Sequence, residues 1–362
     1  MLVMSRTRNL GGVSLYKGVV RPLLFLLPPE GSHNLVLWLL KRLMTRKTLQ
    51  LMSPLYNVQD PRLHVKIAGL DFPSPIGLAA GFDKNCQVLP QMVALGFGYI
   101  VGGTVMLSAQ PGNPSPRLVR LSKDKSLMNR LGFPSQGVAR VRENLEKLGL
   151  LSRPLVVSVS GPNLSDLVAC YRAIEPLADA VELNISSPNT SALKAYQNQP
   201  VFSKLLGEVN SFRKKPLFTK LPAYATPQDR ELVLGLARIA REHGVDGITA
   251  PNTRPVPTHL LAMGKGGLSG RSVTEDTVRT VHDMRRELGK DVAINATGGI
   301  FEAEDAYRAL EAGADTVQIY TSLIYEGPKV VAKINRGLLR LIDESGVGSV
   351  AKLTRRNIPS KE

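Results

Sequence analysis

From Leu63 onward the chain keeps repeating one pattern. A short apolar run rich in β-forming residues gives way to a loop of small or polar residues, and a stretch of helical character follows. Eight such runs occur: SPIGLAAG from Ser74, GYIVGGT from Gly98, LVVSVSG from Leu155, AVELNISS from Ala180, LFTKL from Leu217, GITAPN from Gly247, VAINATGG from Val292 and TVQIYTS from Thr316. Eight strand–helix units that close on themselves predict an α/β protein built as a (β/α)8 TIM barrel. An open doubly wound sheet would place G-x-G-x-x-G after its first strand, and none is present. The segment LHVKIAGLDF, ahead of the first strand, reads as a hairpin across the barrel floor.

The first 56 residues follow another rule. In VVRPLLFLLPPEGSHNLVLWLLKRLM, leucines alternate with cations, and Pro28-Pro29 divides two apolar stretches that are each shorter than the roughly 20 residues needed to span a bilayer. Two short amphipathic helices are predicted, one with a stripe of Leu23, Leu24, Leu26 and Leu27, the other with Leu35, Trp38, Leu39 and Leu43, and both are rimmed by basic residues. That pattern suits a helix lying in a membrane interface; a hairpin packed on the main domain is the alternative. No small-residue cleavage site follows the apolar run, which argues against a signal peptide. The expected organisation is a helical membrane-interface segment over 1–56, a barrel over 57–345 and a basic tail over 346–362.

Composition narrows the chemistry. The 362 residues are 43% hydrophobic with a net charge of +16, enough apolar material for one large barrel and a charge suited to nucleic acid, an anionic membrane or acidic small molecules. Eight Lys/Arg against two acids in the first 60 residues favour the membrane. Cys86 and Cys170 are far apart in sequence and form no C-x-x-C motif, so neither a disulfide framework nor a metal site is expected.

In a barrel of this kind the chemistry sits where strands end. The unusual residues fall there: Ala80, Gly81 and Lys84 after the first strand, Thr104 after the second, LNISSPNT after the fourth, Lys220 on the fifth, Asn252 and Thr253 after the sixth, Gly298 and Gly299 after the seventh, Tyr320 and Thr321 after the eighth. Gly298, Gly299 and Thr321, with GGLSG ending at Gly270, suggest a phosphate site, because glycine lets backbone N–H groups approach phosphate oxygens.

Over roughly residues 15–350 the chain resembles the class 2, quinone-dependent dihydroorotate dehydrogenases, flavin enzymes of pyrimidine biosynthesis. The likeness is carried by PPEGSHNL, GLAAGFDKN, GTV with QPGNPSPRLVRL, NRLGF, NISSPNT, GGLSGR, and GGI with QIYTSLIYEGP. Class 1 relatives typically have cysteine where Ser187 stands, so serine with an amphipathic extension points to the membrane class. The resemblance implies oxidation of dihydroorotate with FMN. Ser187 would be the base, with Thr190 and Phe133 supporting its proton relay. Lys84, Asn129, Asn184, Asn189, Asn252 and Thr253 would hold the substrate's carboxylate and amide edge. FMN would meet Ala80, Gly81, Thr104, Ser158, Asn184, Lys220, Gly270, Gly298, Gly299, Tyr320 and Thr321, with Lys220 stabilising negative charge on the reduced ring. A quinone would enter beside His33, Arg120 and Tyr320. The resemblance also implies a monotopic protein on the cytoplasmic face of the inner membrane (of the mitochondrion, if eukaryotic). It implies no nucleic acid partner, and a monomer is expected.

The chain departs from this family at the third strand, where VSVSGPN puts Ser158 in place of an asparagine and lacks the usual lysine. It departs again at VGG before Thr104, at Pro251, at Arg254 and at NATGG. Three other functions compete. One is a dihydrouridine synthase, which would want a strand-end cysteine and a C-terminal helical domain. Another is a dihydropyrimidine reductase paired with an iron–sulfur subunit, and the last is a flavin- or metabolite-binding paralogue without turnover.

Overall fold

The computed structural model describes residues 14–186 and 191–355. Its strands, in chain order, are β1 (Val65–Ile67), β2 (Leu70–Phe72), β3 (Ile76–Leu78), β4 (Tyr99–Val105), β5 (Leu118–Leu121), β6 (Ser126–Asn129), β7 (Leu155–Val159), β8 (Ala180–Asn184), β9 (Leu217–Lys220), β10 (Gly247–Ala250), β11 (Arg254–Pro257), β12 (Lys265–Gly270), β13 (Ala293–Thr297) and β14 (Thr316–Ile319). Eight of them close a parallel barrel in the order β3-β4-β7-β8-β9-β10-β13-β14, and these are the eight apolar runs of the sequence. The β1–β2 hairpin pairs antiparallel, as LHVKIAGLDF predicted.

Helices wrap the barrel and several begin on explicit caps. Thr226 and Asp229 form a reciprocal capping box at the start of Pro227–Glu242, Asn163 caps Leu164–Ile174, and Asn198 caps Gln199–Asn210. Each turns an apolar face inward, for example Val233, Leu236, Ala237 and Ala240. One continuous core results, running through strands and helices alike.

Strand pairing decides which side chains face the barrel interior. Gly77 lies opposite Tyr99, and a Cβ there would come within 2.3 Å of the Tyr99 ring, so the glycine opens the space that the tyrosine crosses. Tyr99 in turn bonds Thr316 at 2.7 Å and packs on Phe72 of the floor hairpin, with ring centroids 4.7 Å apart. Gly247 makes the same room for Phe218.

A second sheet, antiparallel in the order β11-β12-β6-β5, roofs the mouth of the barrel. Sequence pattern did not reveal it, because its strands alternate little and two carry glycine or proline at every other position or nearly so. The segment expected as a tail from 346 also differs. Residues Val350–Arg355 form a helix whose Val350 and Leu353 are buried and whose Thr354 hydroxyl donates to the Ala314 carbonyl at 2.9 Å. The apolar residues at 350 and 353 dock on the barrel and outweigh the cations around them.

The N-terminal segment is helical: a π-helical turn (Tyr16–Val20), α1 (Arg21–Leu26), α2 (Pro29–Leu43) and α3 (Arg46–Tyr56). The break expected at Pro28-Pro29 is a 119° bend. Leu24 and Leu39 turn partly inward, whereas Leu23, Leu26, Leu35, Trp38 and Leu43 are exposed. The bend is tied to the roof sheet: Arg117 holds Glu30 through Nε and Nη2 at 2.9–3.1 Å, and Arg120 donates to Leu27 O at 2.8 Å and Ser32 Oγ at 2.7 Å.

The tight fit at Gly77 makes a test of the barrel interior. Gly77→Ala should destabilise the fold by about 1–3 kcal/mol, since the added methyl displaces a fully packed ring. Urea unfolding would show a lower midpoint at unchanged slope; a wild-type midpoint would mean that Tyr99 has room to move.

Candidate active site

A cavity opens at the C-terminal ends of the barrel strands, the place where the chemistry of such barrels is expected. Its wall brings together Ala80, Gly81, Lys84, Thr104, Asn129, Phe133, Asn184, Lys220, Asn252, Thr253, Gly298, Gly299, Tyr320 and Thr321. These residues come from seven strands and the roof sheet, and only barrel closure makes them neighbours.

A hydrogen-bonded chain ties several strand ends to one another. The Asn252 amide donates to Ser186 Oγ at 2.8 Å, Ser186 Oγ donates to Asn184 Oδ1 at 3.0 Å, and the Asn184 amide donates to Thr104 Oγ1 at 2.9 Å. Thr104 Oγ1 then meets Ser158 Oγ at 3.1 Å. Ser158 is thus fully buried behind Thr104 and off the cavity wall, where the sequence reading had it touching FMN. A serine is too short to reach past Thr104. Gly270 also stands off the wall, pressed against the Lys125 carbonyl, which a Cβ would approach to 2.4 Å. Ser187, Asn189 and Thr190 lie outside the described residues.

Two lysines give the cavity its charge. Burial pulls the Lys84 ammonium down to about 8; Arg117 adds to this, and Glu30 and Asp83 oppose it. Burial likewise lowers Lys220, with Glu182 acting the other way. Lys84 stands near the opening toward the N-terminal helices. There His33 packs edge-on against Phe82 at 5.3 Å, and Phe82 packs edge-on against Tyr320 at 5.6 Å, an aromatic path from α2 to the cavity. Burial, then the charge on Lys84, push His33 down to about 3, so its imidazole is neutral near pH 7. Arg120 is engaged with carbonyls of the helical bend and stacks on Phe25 at 4.4 Å.

The donor set fits a flavin mononucleotide. Gly298 and Gly299 have φ of +113° and +74°, and a Cβ on Gly299 would meet the Thr274 backbone at 2.5 Å, so conformation and packing both require glycine; the two line the cavity, where their backbone could meet a phosphate. Gln318 presents a buried Oε1 without a partner in the same wall that Lys220 enters, an acceptor and a cation of the kind an isoalloxazine edge would use. Sequence reading missed Gln318, Thr297 and Ser269 as wall residues. Strand alternation could have found Gln318, two residues before Tyr320, and Thr297 directly precedes the Gly298-Gly299 pair.

Comparison with known proteins agrees with this geometry. The dihydroorotate dehydrogenase family profile matches residues 62–342. The chain is 38% identical over 363 residues to the dihydroorotate dehydrogenase (quinone) of Verminephrobacter eiseniae, covering 94% of this chain and 98% of that one. It is 36% identical over 345 residues to the enzyme of the same name from Thermus thermophilus, covering 92% and 99%. The crystal structure of the Eimeria tenella dihydroorotate dehydrogenase in complex with ferulenol is similar, with a TM-score of 0.80 at 31% identity over 91% of this chain and 96% of that chain.

The lowered Lys84 value sets a pH limit. Its ammonium attracts an anion only while protonated, so binding of a carboxylate ligand to the wild-type protein should be flat below about pH 8 and weaken about tenfold per pH unit above it. Lys84→Met should bind weakly and lose that slope. Calorimetric titration across this range decides it: a slope that survives in the variant removes Lys84 as the anion's partner.

Proposed function

This chain belongs to the dihydroorotate dehydrogenase family, and we propose that it oxidises dihydroorotate to orotate in pyrimidine biosynthesis, with FMN as cofactor and a membrane quinone as electron acceptor. The observation that carries this reading is the convergence of Lys84, Asn129, Asn184, Asn252, Thr253 and Lys220 on one cavity whose far corner is the Gly298-Gly299 backbone. The first five suit a planar carboxylate with an amide rim, since asparagine offers a donor and an acceptor from one side chain. FMN, held by the Gly298-Gly299 corner and Lys220, would supply the two-electron redox chemistry that links substrate to quinone.

The chain's own residues do the rest. Lys84 neutralises the substrate carboxylate, and the asparagines hold the ring edge-on. Ser187 removes the proton from the ring carbon beside the carbonyl, with Thr190 and Phe133 supporting its relay; a serine hydroxyl is a weak base and depends on a dry pocket. Asn189 completes the substrate's polar edge. Lys220 stabilises negative charge beside the pyrimidine part of the flavin.

The quinone reading draws on the aromatic path from His33 through Phe82 to Tyr320. A neutral His33 can bond a quinone oxygen without burying a charge. Membrane contact draws on α1 and α2, where Leu23, Leu26, Trp38 and Leu43 are 55–82% exposed beside Arg42 and Lys41. Among the described residues no single helix is long and apolar enough to cross a membrane. The exposed apolar residues of α1 and α2 would rest on the bilayer surface, which the family resemblance puts at the cytoplasmic face of the inner membrane.

Purified protein should be yellow, and dihydroorotate should bleach it under anaerobic conditions. Ser187→Ala should keep the flavin and slow that bleaching by about 10²–10⁴-fold; a rate within a few-fold of wild type would remove Ser187 as the base. A colourless protein that binds no added FMN would overturn the enzymatic reading.

The membrane proposal has its own measurement. Leu26→Asp, at a residue 82% exposed, should reduce flotation with anionic liposomes and reduction of a long-chain quinone, with anaerobic flavin bleaching unchanged. Wild-type protein that stays in the aqueous phase would sink it.

A further inference from the structure

The reaction described above makes no use of one deeply buried acid. Glu182, in the middle of β8, is 1% exposed, and its Oε1 is sealed from solvent without a hydrogen-bond partner. Side chains alternate along a strand, so Glu182 shares the interior face with Asn184, which stands in register with Lys220. The carboxylate therefore sits one layer, about 7 Å along the strand, below the wall that Lys220 enters. Its registered neighbours Ser158 and Phe218 are uncharged. Among the described residues, the titratable groups that feel it are Lys220 from β9 and Tyr99 from β4. Burial holds the Tyr99 phenol neutral, bonded to Thr316, and leaves Lys220 as the cation of this pair.

An isolated buried ammonium, like an isolated buried carboxylate, sheds its charge because desolvation costs several kcal/mol. A carboxylate and an ammonium in adjoining layers of one barrel stabilise each other in the charged form. We propose that Glu182 is a positioning residue: its carboxylate is the counter-charge that keeps Lys220 a cation at the wall where the flavin ring would lie. Without that carboxylate, burial would loosen the proton on Lys220 beside the ring further. The inference deepens the proposed function and rests on Lys220 serving FMN.

The test reads Lys220 directly. Protein labelled with 13C at the lysine ε-carbon is titrated by NMR, with the Lys220 signal assigned by its loss in Lys220→Met. In Glu182→Gln the Lys220 midpoint should fall by about one pH unit or more, the size expected for losing an opposite charge. The alkaline limb of anaerobic flavin reduction by dihydroorotate should move down with it. Glu182→Asp keeps the charge a methylene further away and should give a smaller fall, which serves as the comparison should Glu182→Gln not fold. An unmoved Lys220 midpoint in whichever variant folds overturns the proposal. If dihydroorotate fails to reduce the flavin at all, the functional reading fails, and the lysine titration still decides whether Glu182 holds Lys220 charged.

Discussion

Closure of the eight-stranded sheet is the constraint on which everything else depends. Once β14 pairs with β3, alternate side chains of every strand point into a space with no lateral exit, and each must pack, pair or line the cavity. Tyr99 and Phe218 fill the lower part only because Gly77 and Gly247 face them. Higher up, where no large residue crosses, Asn184, Lys220, Thr297 and Gln318 reach the open end. Thus one register places the packing residues at the bottom and the chemical ones at the top.

The N-terminal helices answer a different requirement. They dock through Glu30 with Arg117 and the helical bend with Arg120, and through Phe25, Leu37 and Leu40 packed on the core, while most of the large apolar side chains exposed among the described residues belong to this segment. A purely structural hairpin would turn those leucines inward, because each exposed one forgoes its burial energy. Orienting the helices in this way leaves those apolar side chains exposed and brings His33 against Phe82 at the edge of the cavity.

How much of this was legible in the sequence follows from the range of each signal. The eight strands and the floor hairpin announced themselves because alternation and turn chemistry are local. The wall residues at the strand ends were legible for the same reason: the architecture fixes where a strand end goes. The roof sheet was not, since β11 and β12 are Pro- and Gly-rich and β12 pairs with β6, more than 100 residues away in sequence. The helix Val350–Arg355 was hidden by its basic surroundings. Glu182 looked like one polar residue in an apolar run; its meaning depends on the register between β8 and β9, which sequence does not print.

Ser158 shows how a departure at one position can change its role and leave the site coherent. The family has an asparagine there against the flavin, and the sequence reading kept Ser158 among the flavin contacts. In the fold the hydroxyl sits behind Thr104 instead. The Asn184 amide donates to Thr104 Oγ1, so the single Thr104 proton is free to go on to Ser158. Bonds run in one direction from Asn252 through Ser186 and Asn184 to Thr104, and Thr104 and Ser158 share the last hydrogen bond through their hydroxyls. A chain of that kind fixes the rotamers of Asn184 and Thr104, two wall residues, from a position that never meets the ligand. The serine's shortness is what allows it: a longer amide at 158 would have to displace Thr104 from the wall to fit.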